Sequence, residues 1–241
     1  MDKLNVGRHI SGQFNEDLER IINHVMHMGG LVEKQLAEAL TSVCDADEAL
    51  AKKVLSNDYL INNAEVSIDD ECTRIIAKRQ PAAGDLRLVM AIVKTITDLE
   101  RIGDEAGKIA NVTLESFSGK HKDLLSNLDN LGRHVLTFLQ ATLDAFTRMD
   151  FDAAVKVHKS DDKIDREYEA LMRQLMTYMM EDPKRISACT NLLYMVKDLE
   201  RAGDYVQNIA EDIYYAVSGE PLYNEGPDRE WEAIKPLKNK K

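Results

Sequence analysis

Glu100 and Asp104 stand four residues apart, and so do Glu200 and Asp204. Each pair sits in one seven-residue frame, Asp98-Leu99-Glu100-Arg101-Ile102-Gly103-Asp104 and Asp198-Leu199-Glu200-Arg201-Ala202-Gly203-Asp204. On a helix this spacing places two side chains on one face, so each frame presents a pair of carboxylates. Like charges so placed destabilise a helix by roughly a few tenths of a kcal/mol. A mid-helix glycine such as Gly103 or Gly203 costs about 1 kcal/mol more relative to alanine. Oxygen donors held together against their own repulsion suit hard or borderline cations: Mg²⁺, Mn²⁺ or iron, singly or bridged by shared carboxylates.

The frames need elements that position them. Over 98–110 against 198–210, eight of thirteen positions are identical, so an internal duplication organises the chain. Helical periodicity runs throughout. From Phe14 the apolar residues step through 18, 21, 25, 28, 32, 36, 39 and 43, one stripe of a long amphipathic helix. Leu124, Leu128, Leu131, Val135, Phe138, Thr142 and Phe146 repeat that stepping in the second half. Breaks near Cys44–Asp47, Gln80–Gly84, Ser118–Asp123, Met149–Asp152 and Asp182-Pro183 leave six helices, at about 14–44, 47–79, 85–116, 123–148, 151–181 and 184–217. Asp85 is placed as the N-cap of the third. The predicted fold is all-α, two pseudo-symmetric up-down-up three-helix bundles over 8–118 and 121–218. The stretch 219–241 holds three of five prolines and Trp231, and is expected to be irregular or disordered unless Trp231 docks.

Counting outward from each turn identifies what the frames face. With the second-half turn at Asp182/Pro183, Glu200 lies opposite Asp165 and Asp204 opposite Asp161. In the first half Glu100 lies opposite Glu65, and Asp104 near Asn62 and Asp58. The candidate ligands are therefore Asp58, Glu65, Glu100 and Asp104 in one half and Asp161, Asp165, Glu200 and Asp204 in the other. Four converging carboxylates cannot all stay ionised without positive charge among them. Arginine (Arg101, Arg201 or Arg166) and metal both remain open as that charge.

Composition narrows the classes. Formal net charge is −11, and 219–241 carry five acidic and five basic groups, so the whole excess lies on 1–218. An acidic body repels nucleic acid and anionic lipid. The longest apolar run, Leu88 to Val93, is far short of a membrane span, and Met1-Asp2-Lys3-Leu4 has no export signal. Cys44, Cys72 and Cys189 lack metal or redox spacing and read as reduced core thiols. No histidine follows a glutamate by three residues, and no P-loop or G-x-S-x-G occurs. Met172, Met176, Met179 and Met180 could form an adaptable contact face.

Taken with Arg79-Gln80-Pro81, Asp85-Leu86-Arg87 and Leu175-Met176-Thr177-Tyr178-Met179-Met180-Glu181-Asp182, the doubled frame resembles the PhoU family over about residues 8–218. The resemblance implies two three-helix bundles, each with an E(D)-x-x-x-D metal motif. It implies a cytoplasmic homodimer that acts without catalysis and meets the membrane only through protein partners. Those partners would be the ATPase subunit of a phosphate ABC transporter and a sensor histidine kinase. When phosphate is plentiful such a protein holds the kinase in its phosphatase or inactive mode and restrains uptake. By position the motif falls on Glu100 and Asp104, Glu200 and Asp204, and Asp161 and Asp165. The first half departs where Asn62 replaces an acid, leaving Glu65 to substitute. Two other readings are a metal-dependent all-α nucleotide pyrophosphohydrolase, whose Glu-Glu-x-x-Glu pattern is missing from these faces, and a metal-free helical scaffold.

Overall fold

A computed structural model describes residues 12–114 and 122–222, apart from the side chains of 12, 13, 122–124, 161 and 162. Six helices run α1 (Gly12–Asp45), α2 (Glu48–Arg79), α3 (Ala83–Leu114), α4 (Lys122–Arg148), α5 (Phe151–Glu181) and α6 (Ile186–Ser218), with one 3₁₀ turn at Pro183–Arg185. The apolar stripe beginning at Phe14 is buried along its whole length, and that of α4 from Leu128 onward likewise. Among the described residues no helix is long and apolar enough to cross a membrane. The expectations for Trp231 and the rest of 223–241 lie outside the described residues, as does the break at 118.

The turns repeat as the helices do. Ala46 and Met149 hold equivalent left-handed conformations, φ 53° and 46°. Each is followed by an aspartate N-cap: Asp47 accepts from the Leu50 amide and Asp150 from the Ala153 amide, both at 3.0 Å. Between α2 and α3, left-handed Gln80 closes α2 on the Ile76 carbonyl and Pro81 prevents its continuation. Here one expectation is corrected. α3 starts at Ala83, the Leu86 amide already bonding the Ala82 carbonyl at 2.8 Å, so Asp85 lies inside the first turn and is not its N-cap. A carboxylate there faces the positive end of the helix dipole.

Among the described helices the repeats, α1–α3 and α4–α6, meet through α3 against α6 and α1 against α4, so α2 and α5 flank the molecule. Both contacts are antiparallel. On α3, Lys94 pairs with Asp212, and further along Glu105 pairs with Arg201. Between α1 and α4 the packing is reciprocal. A Cβ on Gly29 would lie 2.7 Å from a Leu143 methyl, and one on Gly132 would lie 2.5 Å from a Leu40 methyl. The glycines of the acidic frames serve a similar end within each repeat. A Cβ on Gly103 would come 3.0 Å from Ile61 of α2, and one on Gly203 would come 3.3 Å from Ile164 of α5. These glycines let α3 and α6 approach the flanking helices closely enough for carboxylates on both to interact.

Candidate metal-binding seams

Each seven-residue frame splits its charges between two faces. Asp98 and Arg101, with Asp198 and Arg201, turn toward the contact between repeats. Glu100 and Asp104, with Glu200 and Asp204, turn toward the flanking helix of their own repeat, where they meet the charges of α2 and α5.

In the first seam Glu100 is half-buried and Asp104 is exposed. Burial, then the negative charges of Asp104, Glu65 and Asp58, raise the Glu100 carboxyl above its ordinary value, with Arg101 opposing. Asp104 is raised by burial and then by Asp58, with Lys108 opposing. The structure thus brings Asp58, Glu65, Glu100 and Asp104 into one electrostatic group. Asp58 is also hydrogen-bonded. Gln35 of α1 donates from Nε2 to its Oδ1 at 2.8 Å and to the Gly103 carbonyl at 3.2 Å, and Asn62 Nδ2 lies 3.5 Å from its Oδ2.

In the second seam Glu200 is raised by burial, then by Asp204 and Asp165, with Lys197 and Arg201 opposing. Asp204 is raised by burial and by Asp165. Asp161 lies on α5, and its side chain is outside the described residues. The position equivalent to Gln35 is Phe138, and that equivalent to Glu65 is Tyr168, whose phenol is raised by burial and by the charge of Glu200.

The arginines of the frames are engaged elsewhere. Arg101 pairs with Asp98 at 3.0 Å and lies over the Tyr205 ring, while Arg201 pairs with Glu105 at 3.2 Å and donates to the Tyr205 hydroxyl at 3.0 Å. Among the described residues no basic nitrogen lies within 4.0 Å of Asp58, Glu65, Glu100, Asp104, Asp165, Glu200 or Asp204. As donors these groups fit a hard cation: oxygen-only, mutually repelling and unneutralised. Among the described residues, however, no three His, Cys, Asp or Glu side chains form a cluster able to hold a metal ion.

A second polar band, between the repeats, escaped sequence reasoning. Glu105 is 1% exposed and bonded to Lys108 at 3.0 Å. Burial, the Glu105 charge and a hydrogen bond to Glu105 push the neighbouring Asp198 up to about 6. Burial likewise pushes Asp212 up to about 6 despite its bond to Lys94. Asp98 is raised by burial, with Arg101 and Asn208 opposing. The identity of Asp98 and Asp198 at the head of both frames was the available signal. It offered no way to tell an inter-repeat residue from a seam residue.

Comparison with known proteins supplies the lineage. The family described as "PhoU domain" matches residues 25–113 and again 128–213. The phosphate-specific transport system accessory protein PhoU of Escherichia coli (strain K12) is 53% identical over 228 residues, covering 95% of each chain. The homolog from Pseudomonas aeruginosa is 44% identical over 235 residues, covering 97% of each. The crystal structure of PhoU from Pseudomonas aeruginosa superposes with a TM-score of 0.80 at 46% identity, over 86% of this chain and all of that one (100%). The phosphate transport system regulatory protein PhoU from Streptococcus pneumoniae gives 0.82 at 30% identity, over 88% and 100%.

Proposed function

The chain belongs to the PhoU family, and on that premise we propose that it couples the ATPase subunit of a phosphate ABC transporter to a sensor histidine kinase. In this reading it is an accessory and regulatory protein of phosphate transport. It acts in the cytoplasm as a homodimer, without catalysis, and represses the phosphate-starvation response and uptake when phosphate is plentiful. The observation that carries the reading is likeness to phosphate-transport accessory proteins along nearly the whole chain, which carries both acidic frames.

Asp58, Glu65, Glu100 and Asp104 would hold a cation in one repeat, and Asp161, Asp165, Glu200 and Asp204 in the other. The bound cation, Mg²⁺, Mn²⁺ or iron, would supply the positive charge that these carboxylates lack. Neutralised seams would fix α2 against α3 and α5 against α6, stiffening the surfaces offered to partners. A metal-free scaffold is favoured by one detail, the commitment of Asp58 to the Gln35 amide. Pull-down of transporter and kinase subunits before and after chelation separates the two readings, since retention after chelation supports the scaffold.

A deletion strain assayed for alkaline phosphatase in high phosphate tests the regulatory role. Constitutive expression, reversed by this chain, is expected. Normal repression in the deletion strain contradicts the proposal.

A further inference from the structure

Beside the start of α1 and the end of α2 lies a cavity of about 370 Å³ whose lining is mostly cationic. Asp17 and Arg20 come from α1; Glu71, Arg74, Lys78 and Arg79 come from the last turns of α2, with Ile75 as the apolar wall. The two carboxylates are already committed. Asp17 is held by Arg20 at 2.7 Å and Arg79 at 3.0 Å, and Glu71 by His24 at 3.0 Å and Arg20 at 3.4 Å. Among the described residues Arg74 spends only its Nε, on the Asp70 carbonyl at 3.3 Å. Among the described residues neither Arg74 nor Lys78 has a carboxylate within 4.0 Å. On a protein of net charge −11, this is a concentrated positive spot with cationic capacity left over.

The duplication provides an internal control. At the positions equivalent to Glu71, Arg74, Lys78 and Arg79, the second repeat has Gln174, Thr177, Glu181 and Asp182. At this level α4 and α5 are joined by neutral groups, Asn127 donating to Gln174 at 2.8 Å, and Gln174 donates in turn to the Tyr178 hydroxyl of its own helix at 2.9 Å; the charged contact between these helices, His134 with Glu167, lies further along. The same helical hairpin is therefore built with the opposite charge. The cations of the first repeat exceed what the fold requires.

We propose that this cavity binds a phosphate-class oxyanion, with Arg74 and Lys78 as its principal contacts and the Asp17-anchored Arg20 and Arg79 as further donors. A guanidinium offers paired donors to tetrahedral oxygens, and an ammonium adds a movable point charge, a combination suited to phosphate. Inorganic phosphate and the terminal phosphate of a nucleotide share this chemistry. The inference rests on the cavity alone and goes beyond the regulatory reading, so it stands or falls separately from it.

Equilibrium dialysis of the full chain with radiolabelled inorganic phosphate, and separately with ATP, at roughly physiological salt tests the site. Saturable binding is expected. Arg74→Ala/Lys78→Ala should weaken it about tenfold or more, Arg74→Lys/Lys78→Arg should retain most of it, and Glu200→Gln/Asp204→Asn should leave it intact. Circular dichroism should be unchanged throughout, because neither Arg74 nor Lys78 holds an ion pair in the described structure. Binding of phosphate itself identifies the free ion. Binding of ATP alone, lost in the same double variant, identifies the phosphoryl end of a nucleotide. No saturable binding of either, equal displacement by chloride, or a folded double variant that binds like the parent overturns the proposal.

Discussion

The two acidic seams occupy equivalent places in a duplicated fold, yet they are furnished differently. Around the first, Gln35 and Asn62 are positioned on Asp58 and Glu65 supplies a further charge. Around the second, Phe138, Asp165 and Tyr168 stand at those positions, so a neutral amide becomes an acid and the donor to Asp58 has no counterpart. What has been kept is what close packing demands: Gly103 with Gly203, Ile61 with Ile164, Gly29 with Gly132 and Leu40 with Leu143. The seams inherited a common geometry, and the side chains in them then diverged in charge and hydrogen bonding. The second is expected to be the stronger cation site, because its described acids, Asp165, Glu200 and Asp204, are not occupied by amide donors and Asp165 adds a charge where the first seam has Asn62.

The comparison breaks most readily at the reciprocal packing. Gly132→Val would place a branched side chain against the buried Leu40 and should cost about 3 kcal/mol in urea unfolding. Gly29→Val, against Leu143, should cost a similar amount. A large difference between the two would mean the repeats do not share the contact equally.

Cation binding comes next in size. A divalent ion held at about a hundred times its Kd adds about 2.7 kcal/mol, a rise of about 5–10 °C in Tm for a chain of this length. Glu200→Gln/Asp204→Asn should remove most of the rise produced by Mn²⁺, and Glu100→Gln/Asp104→Asn a smaller part. Asn62→Asp should move the first seam toward the second, enlarging the Mn²⁺ response while lowering Tm in chelator. An Asn62→Asp protein indistinguishable from the parent in both conditions would deny that this position sets the difference.

Proton linkage is smaller and concerns the band between repeats. Asp198 and Asp212 rise from an ordinary 3.8 to about 6 on folding, so the folded protein holds their protons more tightly than the unfolded chain does. Their contribution to stability is present below pH 3.8 and is lost as pH climbs through about 6. Asp198→Asn should therefore flatten the decline between roughly pH 4 and 7 by about 1 kcal/mol, allowing for partial solvent screening of Asp198. Denaturation midpoints across that range read the slope, and a steeper decline would contradict the assignment. The smallest effect belongs to the turns. Glycine at 46 or 149 relieves a left-handed alanine or methionine, and each should raise stability by about 0.5 kcal/mol after the added freedom of the unfolded chain is counted.

Helices were legible because burial in a bundle imposes a three-four periodicity, and the stripe from Phe14 through Val43 obeys it without a gap. Counting from the turns also placed Glu100 near Glu65, and Glu200 near Asp165, since an antiparallel hairpin fixes which levels meet. The start of α3 was misjudged by two residues. Asp85 resembles a cap in sequence, and only the Ala82 carbonyl bonding to Leu86 reveals where the helix begins.

The amino-acid order alone determined the duplication, the six rods, the acidic pairs and the family, all consequences of local spacing and repetition. The pairing of α3 with α6 and α1 with α4 was decided only in three dimensions. So were the diversion of Arg101 and Arg201 away from the seams, the buried carboxylates between repeats and the cationic cavity at one end. These depend on which faces of different helices come together. That is set by the fit of glycines beneath leucines and isoleucines and by the cost of burying charge, neither of which leaves a periodic trace along the chain.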